Sequence, residues 1–320
     1  MGMFGVVGKN GEAASLLKSA DEILDFNLSA ILKNGPAEVL CQTEIAQPAI
    51  FTTSVALWKL YKQGVAMVKE SAEKDGSDKM GWHDGLFAGH SLGEFSAACA
   101  AGVFSFEEGL RLVATRGKLM ARACQQRAGK MLAVLGQPQE VVEQALDRFL
   151  GAITSGPATH TSGVATTSDS VLVIANINGP KQIVVSGDAS AIDDFAAFLA
   201  AEKIRTAFLK VAGAFHSPLM ESALPEWNAA LDAVAFNEPS APLIDNVTGE
   251  VVTSAAELKE NLRRQLVSPV QWVKTLETAK SLGVTAAIEV GPGAVLTGLC
   301  KKWGGFACEP FGLAKSSGTV

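Results

Sequence analysis

GLFAGHSLGEFSA, residues 85–97, joins three local signals in one short stretch. Gly85–Ala88 reads as a short apolar strand, Gly89–Gly93 is a G-x-S-x-G pentapeptide, and small residues of helical composition follow. A strand that turns sharply into a helix exposes the serine hydroxyl at the turn and aims the helix N-terminus at it. Gly89 and Gly93 are expected there because a side chain at either position would clash in so tight a turn. The backbone N–H of Leu92 would then face an oxyanion formed on an acyl group carried by Ser91. The pentapeptide alone is a weak signal; the bland alternative is a serine that caps a helix in a strand-helix turn.

Upstream, Gly11–Leu32 reads as a helix with Ala14, Leu17, Ala20, Ile23 and Leu24 on one face. A Gly-Pro turn at Gly35 precedes a long apolar helix around Ile50–Leu60, and the polar run Ser71–Lys79 reads as an exposed loop. Downstream, Phe106–Cys124 is the clearer of two helical stretches. From Met131 the grammar changes. Strands at Met131–Leu135, Val171–Ile177, Gln182–Ser186 and Arg205–Val211 alternate with helices at Gln139–Phe149 and Ala189–Ala201. That β-α-β-β-α-β order is the ferredoxin-like arrangement. The Ser/Thr/Gly/Ala-rich Gly151–Ser170 reads as a mobile loop, since it buries too little surface to offset its ordering entropy. Alternating helix and strand resume after Val211, ending in a strand at Ala287–Val290 and a helix at Ala294–Lys302. A small domain inserted into an α/β domain leaves a cleft between them, a common place for a ligand.

The composition bounds what such a cleft can serve. The chain has 320 residues, of which 48% are hydrophobic and 19% charged, enough for a sizeable core. A net charge of −6 gives no general attraction for nucleic acid. Five scattered cysteines without a CxxC pair fit a reducing compartment better than a disulfide framework. No apolar run reaches the roughly 18 residues that a spanning helix needs, and no secretory leader is visible.

A serine attacks at neutral pH only with a base beside it. Of the four histidines, His83 and His160 lie beside or within polar loops, and His90 is a neighbour of Ser91 that points away from it in a tight turn. His216, in AFHSPLM after the last strand of the small domain, lies where the chain re-enters the large one. A lone loop histidine is as readily structural, but that junction favours His216 as base. Arg116 sits amid an apolar helical stretch; it is either a surface residue with a buried stem or a planar fork for a substrate carboxylate, and spacing does not choose. No His/Cys spacing suits a metal, and no Walker A pattern is present.

Taken together, these residues resemble the malonyl-CoA:acyl carrier protein transacylases and related acyltransferase domains of fatty-acid and polyketide synthases. The likeness is co-linear over most of the chain: TEIAQPAI (43–50), GHSLGEFSA (89–97), TRGKLM (115–120), NINGPKQIVVSG (176–187), GAFHSPLM (213–220), LVSPVQW (266–272) and IEVGPGAVLTGL (288–299). It implies an α/β fold, a hydrolase-like parallel-sheet domain (residues 1–129 and 208–320) with an inserted ferredoxin-like α+β subdomain (residues 130–207). It also implies roles: Ser91 as nucleophile, His216 as base, Arg116 as clamp on the malonyl carboxylate, and Leu92 N–H as oxyanion donor. The Ser268 carbonyl would orient His216, where the family usually has Asn, and Gln47 would line the pocket. Phe215 resembles the malonyl-selecting rather than the methylmalonyl-selecting type. The family's first strand and its FPGQG-type motif, which brings a second oxyanion donor, have no counterpart before Met1; a truncation or a missing core strand is expected, with lower stability and rate than a chain extended upstream.

The resemblance therefore implies malonyl transfer from malonyl-CoA to the phosphopantetheine thiol of acyl carrier protein, through a malonyl-serine ester, in fatty acid biosynthesis. It implies no cofactor, no metal, no nucleic-acid or membrane partner, and a monomer. The compartment would be cytoplasm, or a plastid or mitochondrial interior after removal of a transit peptide. Arg263, Arg264, Lys301 and Lys302 are candidates for docking an acidic carrier protein. Competing readings are a polyketide synthase acyltransferase domain, a serine hydrolase or thioesterase with Asp245 or Glu289 as third triad member, and a non-catalytic carrier-protein binder.

Overall fold

In a computed structural model the described residues are 11–75, 85–153, 164–167 and 170–311. His83 and His160 fall outside them. The opening helical stretch is two helices, α1 (Gly11–Ile23) and α2 (Leu28–Asn34), in place of the one expected over Gly11–Leu32. Asn27 interrupts it: its side chain accepts from Ala30 N–H at 2.7 Å and caps the second helix. After α3 (Ala37–Leu40), α4 (Thr43–Asp75) continues into the segment expected as a loop at Ser71–Lys79. The Ala, Glu and Lys there are strong helix formers, and propensity outweighs polarity as far as Asp75.

The strand of the G-x-S-x-G region is only β1 (Phe87–Ala88), followed by α5 (Gly93–Ala100) and α6 (Phe106–Gln126). A capping box between Ser105 and Glu108 starts α6. A Cβ on Gly117 of α6 would lie 2.9 Å from the Thr43 carbonyl, so glycine there lets α6 approach the start of α4. That close approach sets Gln47 beside Arg116.

Then come β2 (Gly129–Leu135), α7 (Gln139–Ile153), β3 (Val164–Thr167), β4 (Ser170–Gly179), β5 (Gln182–Asp188), α8 (Ala189–Ala201) and β6 (Arg205–Phe208). They form an antiparallel sheet in the order β3-β4-β5-β2-β6. The loop expected over Gly151–Ser170 is corrected in part. α7 runs on to Ile153, and Val164–Thr167 pairs with β4, because β-branched residues find open hydrogen-bonding groups along that apolar strand. Residues 154–163 and 168–169 lie outside the described chain.

A 3-10 helix (Pro218–Ala223) and α9 (Leu224–Asp232) lead to β7 (Leu243–Ile244), which pairs in parallel with β1. α10 (Ala255–Gln265) and α11 (Trp272–Ser281) precede β8 (Ala286–Val290), then α12 (Val295–Trp303) and β9 (Ala307–Phe311), parallel to β8. Among the described residues the parallel strands thus form two separate two-stranded pieces rather than one continuous sheet.

Among the described residues two large apolar clusters and two smaller ones fill the interior. Of the large ones, Phe51, Leu57, Phe95, Leu110 and Trp227 belong to that among the helices, and Leu132, Ile183, Phe149 and Phe195 to that between the five-stranded sheet and its helices. The opposite sheet face packs Met131, Ala133, Ala175 and Val184 against Phe215. Val270 joins the parts: its N–H donates to the Ala175 carbonyl, and Ile177 N–H donates to the Val270 carbonyl, both at 2.9 Å.

Candidate active site

Ser91 occupies the turn between β1 and α5 with φ 51°, left-handed backbone that a side-chain-bearing residue rarely adopts. A Cβ on Gly89 would come within 2.1 Å of the Gly93 backbone, so glycine is required there. Gly93 corrects the expectation for its position: a Cβ there meets nothing within 4 Å. The turn is also held from outside. Buried Asn246, just past β7, accepts from Ser91 N–H through Oδ1 and donates from Nδ2 to the Gly89 carbonyl at 2.6 Å.

His216 likewise has a positive φ, 55°, and its Nε2 lies 2.8 Å from Ser91 Oγ. Its Nδ1 faces two carbonyls, Gln265 at 2.9 Å and Ser268 at 3.2 Å. Carbonyls only accept, so Nδ1 carries the proton and Nε2 is free to accept from the serine. The Gln265 carbonyl, the nearer of the two, is absent from the sequence reading. It belongs to the last residue of α10, where helix carbonyls lack intrahelical partners. Burial, with the positive charge of Arg116 added, pushes His216 down to about 3, so the ring is neutral at neutral pH.

Arg116 is 1% exposed, which removes the surface alternative. Its guanidinium donates to Gln47 Oε1 at 2.8 Å, Gln265 Oε1 at 2.9 Å and Ser91 Oγ at 3.2 Å. Burial lowers its pKa to about 10, with Glu94 pulling the other way, so it stays charged at neutral pH. Its Nε has no partner among the described residues. Gln47 is buried too, with Nε2 on Met120 Sδ at 3.3 Å. Leu92 N–H makes no hydrogen bond among the described residues.

Other candidates are placed elsewhere. His90 Nε2 donates to Asn178 Oδ1 at 2.7 Å and its ring meets Trp272 edge-on, a supporting position. The Asp245 carboxylate is taken up by Val247 N–H, Thr248 N–H and the Thr248 hydroxyl, and Glu289 by Leu296 and Thr297 N–H. Neither completes a triad with His216. Arg263 is half-buried and paired with Asp232 and Glu260, while Arg264 bonds Asn261. Lys302 donates to Gln182 Oε1 at 3.0 Å and Lys301 is exposed. Among the described residues no group of three or more His, Cys, Asp or Glu is placed to hold a metal ion, and no helix is long and apolar enough to cross a membrane.

Three polar residues of this site were missed: Gln265, Asn246 and Glu94. Glu94 in α5 reads as an ordinary acidic residue of a first helical turn, yet it is 1% exposed.

The acyl transferase domain family matches residues 10–171 and 158–304. A malonyl CoA-acyl carrier protein transacylase of Bacillus subtilis (strain 168) is 37% identical over 292 residues, covering 91% of this chain and 82% of that protein. The transacylase of the same name from Salmonella typhimurium is 35% identical over 284 residues, 88% of this chain and 82% of its own. Among solved structures, a malonyl-CoA:acyl carrier protein transacylase of Xanthomonas oryzae superposes with TM-score 0.82 at 32% identity, covering 97% and 90% of the two chains. A malonyl-transacylase solved in complex with a type II PKS acyl-carrier protein gives TM-score 0.80 at 30% identity, covering 95% and 88%.

Proposed function

The chain belongs to the acyl transferase domain family, and on that premise we propose that it moves a malonyl group from malonyl-CoA to the phosphopantetheine thiol of acyl carrier protein. Ser91 is the nucleophile and His216 the base. As Ser91 Oγ attacks the thioester carbon, His216 Nε2 takes its proton; the tetrahedral oxyanion rests partly on Leu92 N–H. When that intermediate collapses, the carbon–sulfur bond breaks and CoA leaves as the thiol with the proton from His216. The carrier-protein thiol then attacks the malonyl-Ser91 ester, His216 takes the thiol proton, and Ser91 recovers it as the ester bond breaks. The residues described call for no cofactor or metal in these steps.

The observation that carries the malonyl assignment is Arg116. A charged, buried guanidinium sits beside the nucleophile, and its Nε lacks a partner among the described residues. A fork of that kind suits an acyl group that ends in a carboxylate. Gln47 holds one arm of the fork, and the Gln265 and Ser268 carbonyls orient the base. Burial of the ester among these groups favours transfer to a thiol over hydrolysis.

The antiparallel order β4-β5-β2-β6, with α7 and α8 connecting its strands, supports a ferredoxin-like subdomain at residues 130–207. Residues 1–129 and 208–320 then make the hydrolase-like domain. We read the protein as a monomer of fatty acid biosynthesis in the cytoplasm or an organelle interior.

Incubation with malonyl-CoA should add one malonyl mass to the peptide carrying Gly89–Gly93, and Ser91→Ala should abolish it. Label on a cysteine instead would overturn the assignment. Burial pushes the thiols of Cys99 and Cys124 up to about 12 and 11, which makes them poor competitors.

A further inference from the structure

We infer that Glu94 is a positioning residue, which fixes the Gln265 side-chain amide and through it aims Arg116 at the acyl group. The inference rests on the malonyl-transfer reading. Glu94 lies in the first turn of α5, three residues after Ser91, yet its side chain turns inward rather than to solvent. Its Oε2 accepts from Gln265 Nε2 at 2.6 Å and from Asn246 N–H at 3.3 Å. Those two residues hold the rest of the site. Gln265 Oε1 receives Arg116, Gln265 Nε2 also reaches the Ser91 carbonyl at 3.1 Å, and the Gln265 backbone carbonyl holds His216.

A side-chain amide has a donor end and an acceptor end of nearly the same shape, so a glutamine can sit either way round. Reversed, Gln265 would turn an NH₂ group toward the Arg116 guanidinium, donor against donor, and the fork would be displaced. Glu94 Oε2 already receives the backbone N–H of Asn246, a fixed donor, so it faces Gln265 as an acceptor, and only Nε2 can satisfy it. Arg116 is thereby held with one arm on Gln265 and the other on Gln47. No step proposed above uses Glu94 for proton transfer, and no distance places it on His216. Burial, and secondarily the charge of Asp245, push its carboxyl up to about 8. What the position needs is an oxygen that accepts from Gln265 Nε2 and Asn246 N–H, which glutamine keeps and leucine does not.

The test compares malonyl and acetyl transfer to holo-acyl carrier protein in the full chain, with melting temperature alongside. E94L should lower kcat/KM for malonyl about tenfold or more and that for acetyl less than about threefold, since acetyl has no carboxylate to aim at. E94Q, which restores an acceptor, should keep the malonyl-to-acetyl ratio within about threefold of wild type. If E94L does not fold, Gln265→Met carries the test: it deletes the amide, keeps the backbone carbonyl on His216, and must show the same malonyl-selective loss. Equal loss for both acyl groups, or an unchanged ratio, overturns the inference while malonyl transfer by the wild type stands. A wild type that transfers no malonyl overturns the functional reading, and the inference with it.

Discussion

The five-stranded sheet and the parallel strands beside Ser91 hold their shape by different means. In the sheet, β2 and β5 are in register over their whole length, Gly129 opposite Asp188 through Leu135 opposite Gln182, so backbone groups satisfy one another locally. β1 and β7 share only two opposed residue pairs. So short a ladder cannot by itself fix the catalytic turn, and buried side chains take over: Asn246 spans it, while Gln265 and Glu94 tie it to His216 and Arg116. The sheet region is therefore set by pattern and burial, whereas the site region depends on individual polar groups. Damage to the first should register in stability and damage to the second in chemistry.

Phe195→Ala strikes the sheet region alone. Phe195 is fully buried against Phe149 and Phe198, and such truncations cost about 3–5 kcal/mol. Thermal unfolding should show a large fall, while the rate of Ser91 acylation at a temperature where the variant is folded should stay close to wild type. An equal fall in that rate would break the division drawn here. Arg116→Ala should do the reverse in one respect. Losing charge-assisted contacts of about 1.5–3 kcal/mol each should cut malonyl transfer by about two orders of magnitude and spare acetyl transfer. Parallel losses for both acyl groups would make Arg116 a structural residue.

Asn246→Ala removes both side-chain bonds across the turn. The acylation rate should fall about tenfold at a cost of roughly 1–3 kcal/mol in stability, with CoA binding little changed. Stopped-flow acylation and equilibrium binding separate the two; loss of binding alone would place Asn246 outside the turn's support. The last effect concerns acid and builds gradually, one pH unit at a time. His216 is pushed from its ordinary 6.5 down to about 3, so between those values the unfolded chain binds a proton that the folded one refuses. Stability should therefore fall as pH drops from 6.5 toward 3, by at most about 1.4 kcal/mol per pH unit from this group. The raised carboxyl of Glu94 acts in the opposite sense as pH rises through 4.5 to 8, and equally with or without His216. His216→Asn should flatten the acid limb of a melting-temperature profile. An identical limb in both proteins would show that the ring is not held neutral by the fold.

The legible parts of this chain were those whose cause is local. GHSLG announces its turn because a strand, a required glycine and a helix are neighbours in sequence, and β2, β4, β5 and β6 follow from apolar runs bounded by turns, whereas β3 lies in a stretch whose composition reads as loop. His216 could be favoured from its junction with the sheet region. Whether Arg116 faced solvent or cleft was not legible, because that depends on how closely α6 meets α4 at Gly117. Glu94, Asn246 and Gln265 look like ordinary polar residues until segments more than 150 residues apart meet. The orienting carbonyl shows the same limit: a backbone group has no signature of its own, and Gln265 lies closer than the expected Ser268.

Ser91 and His216 share a property that reaches beyond catalysis: both hold positive φ without being glycine. At either position glycine would relax the chain at the expense of the reacting group. Selection for heat resistance alone would thus pull on the two residues in the wrong direction. A thermostability screen of this protein would enrich inactive variants there unless turnover were scored in the same round.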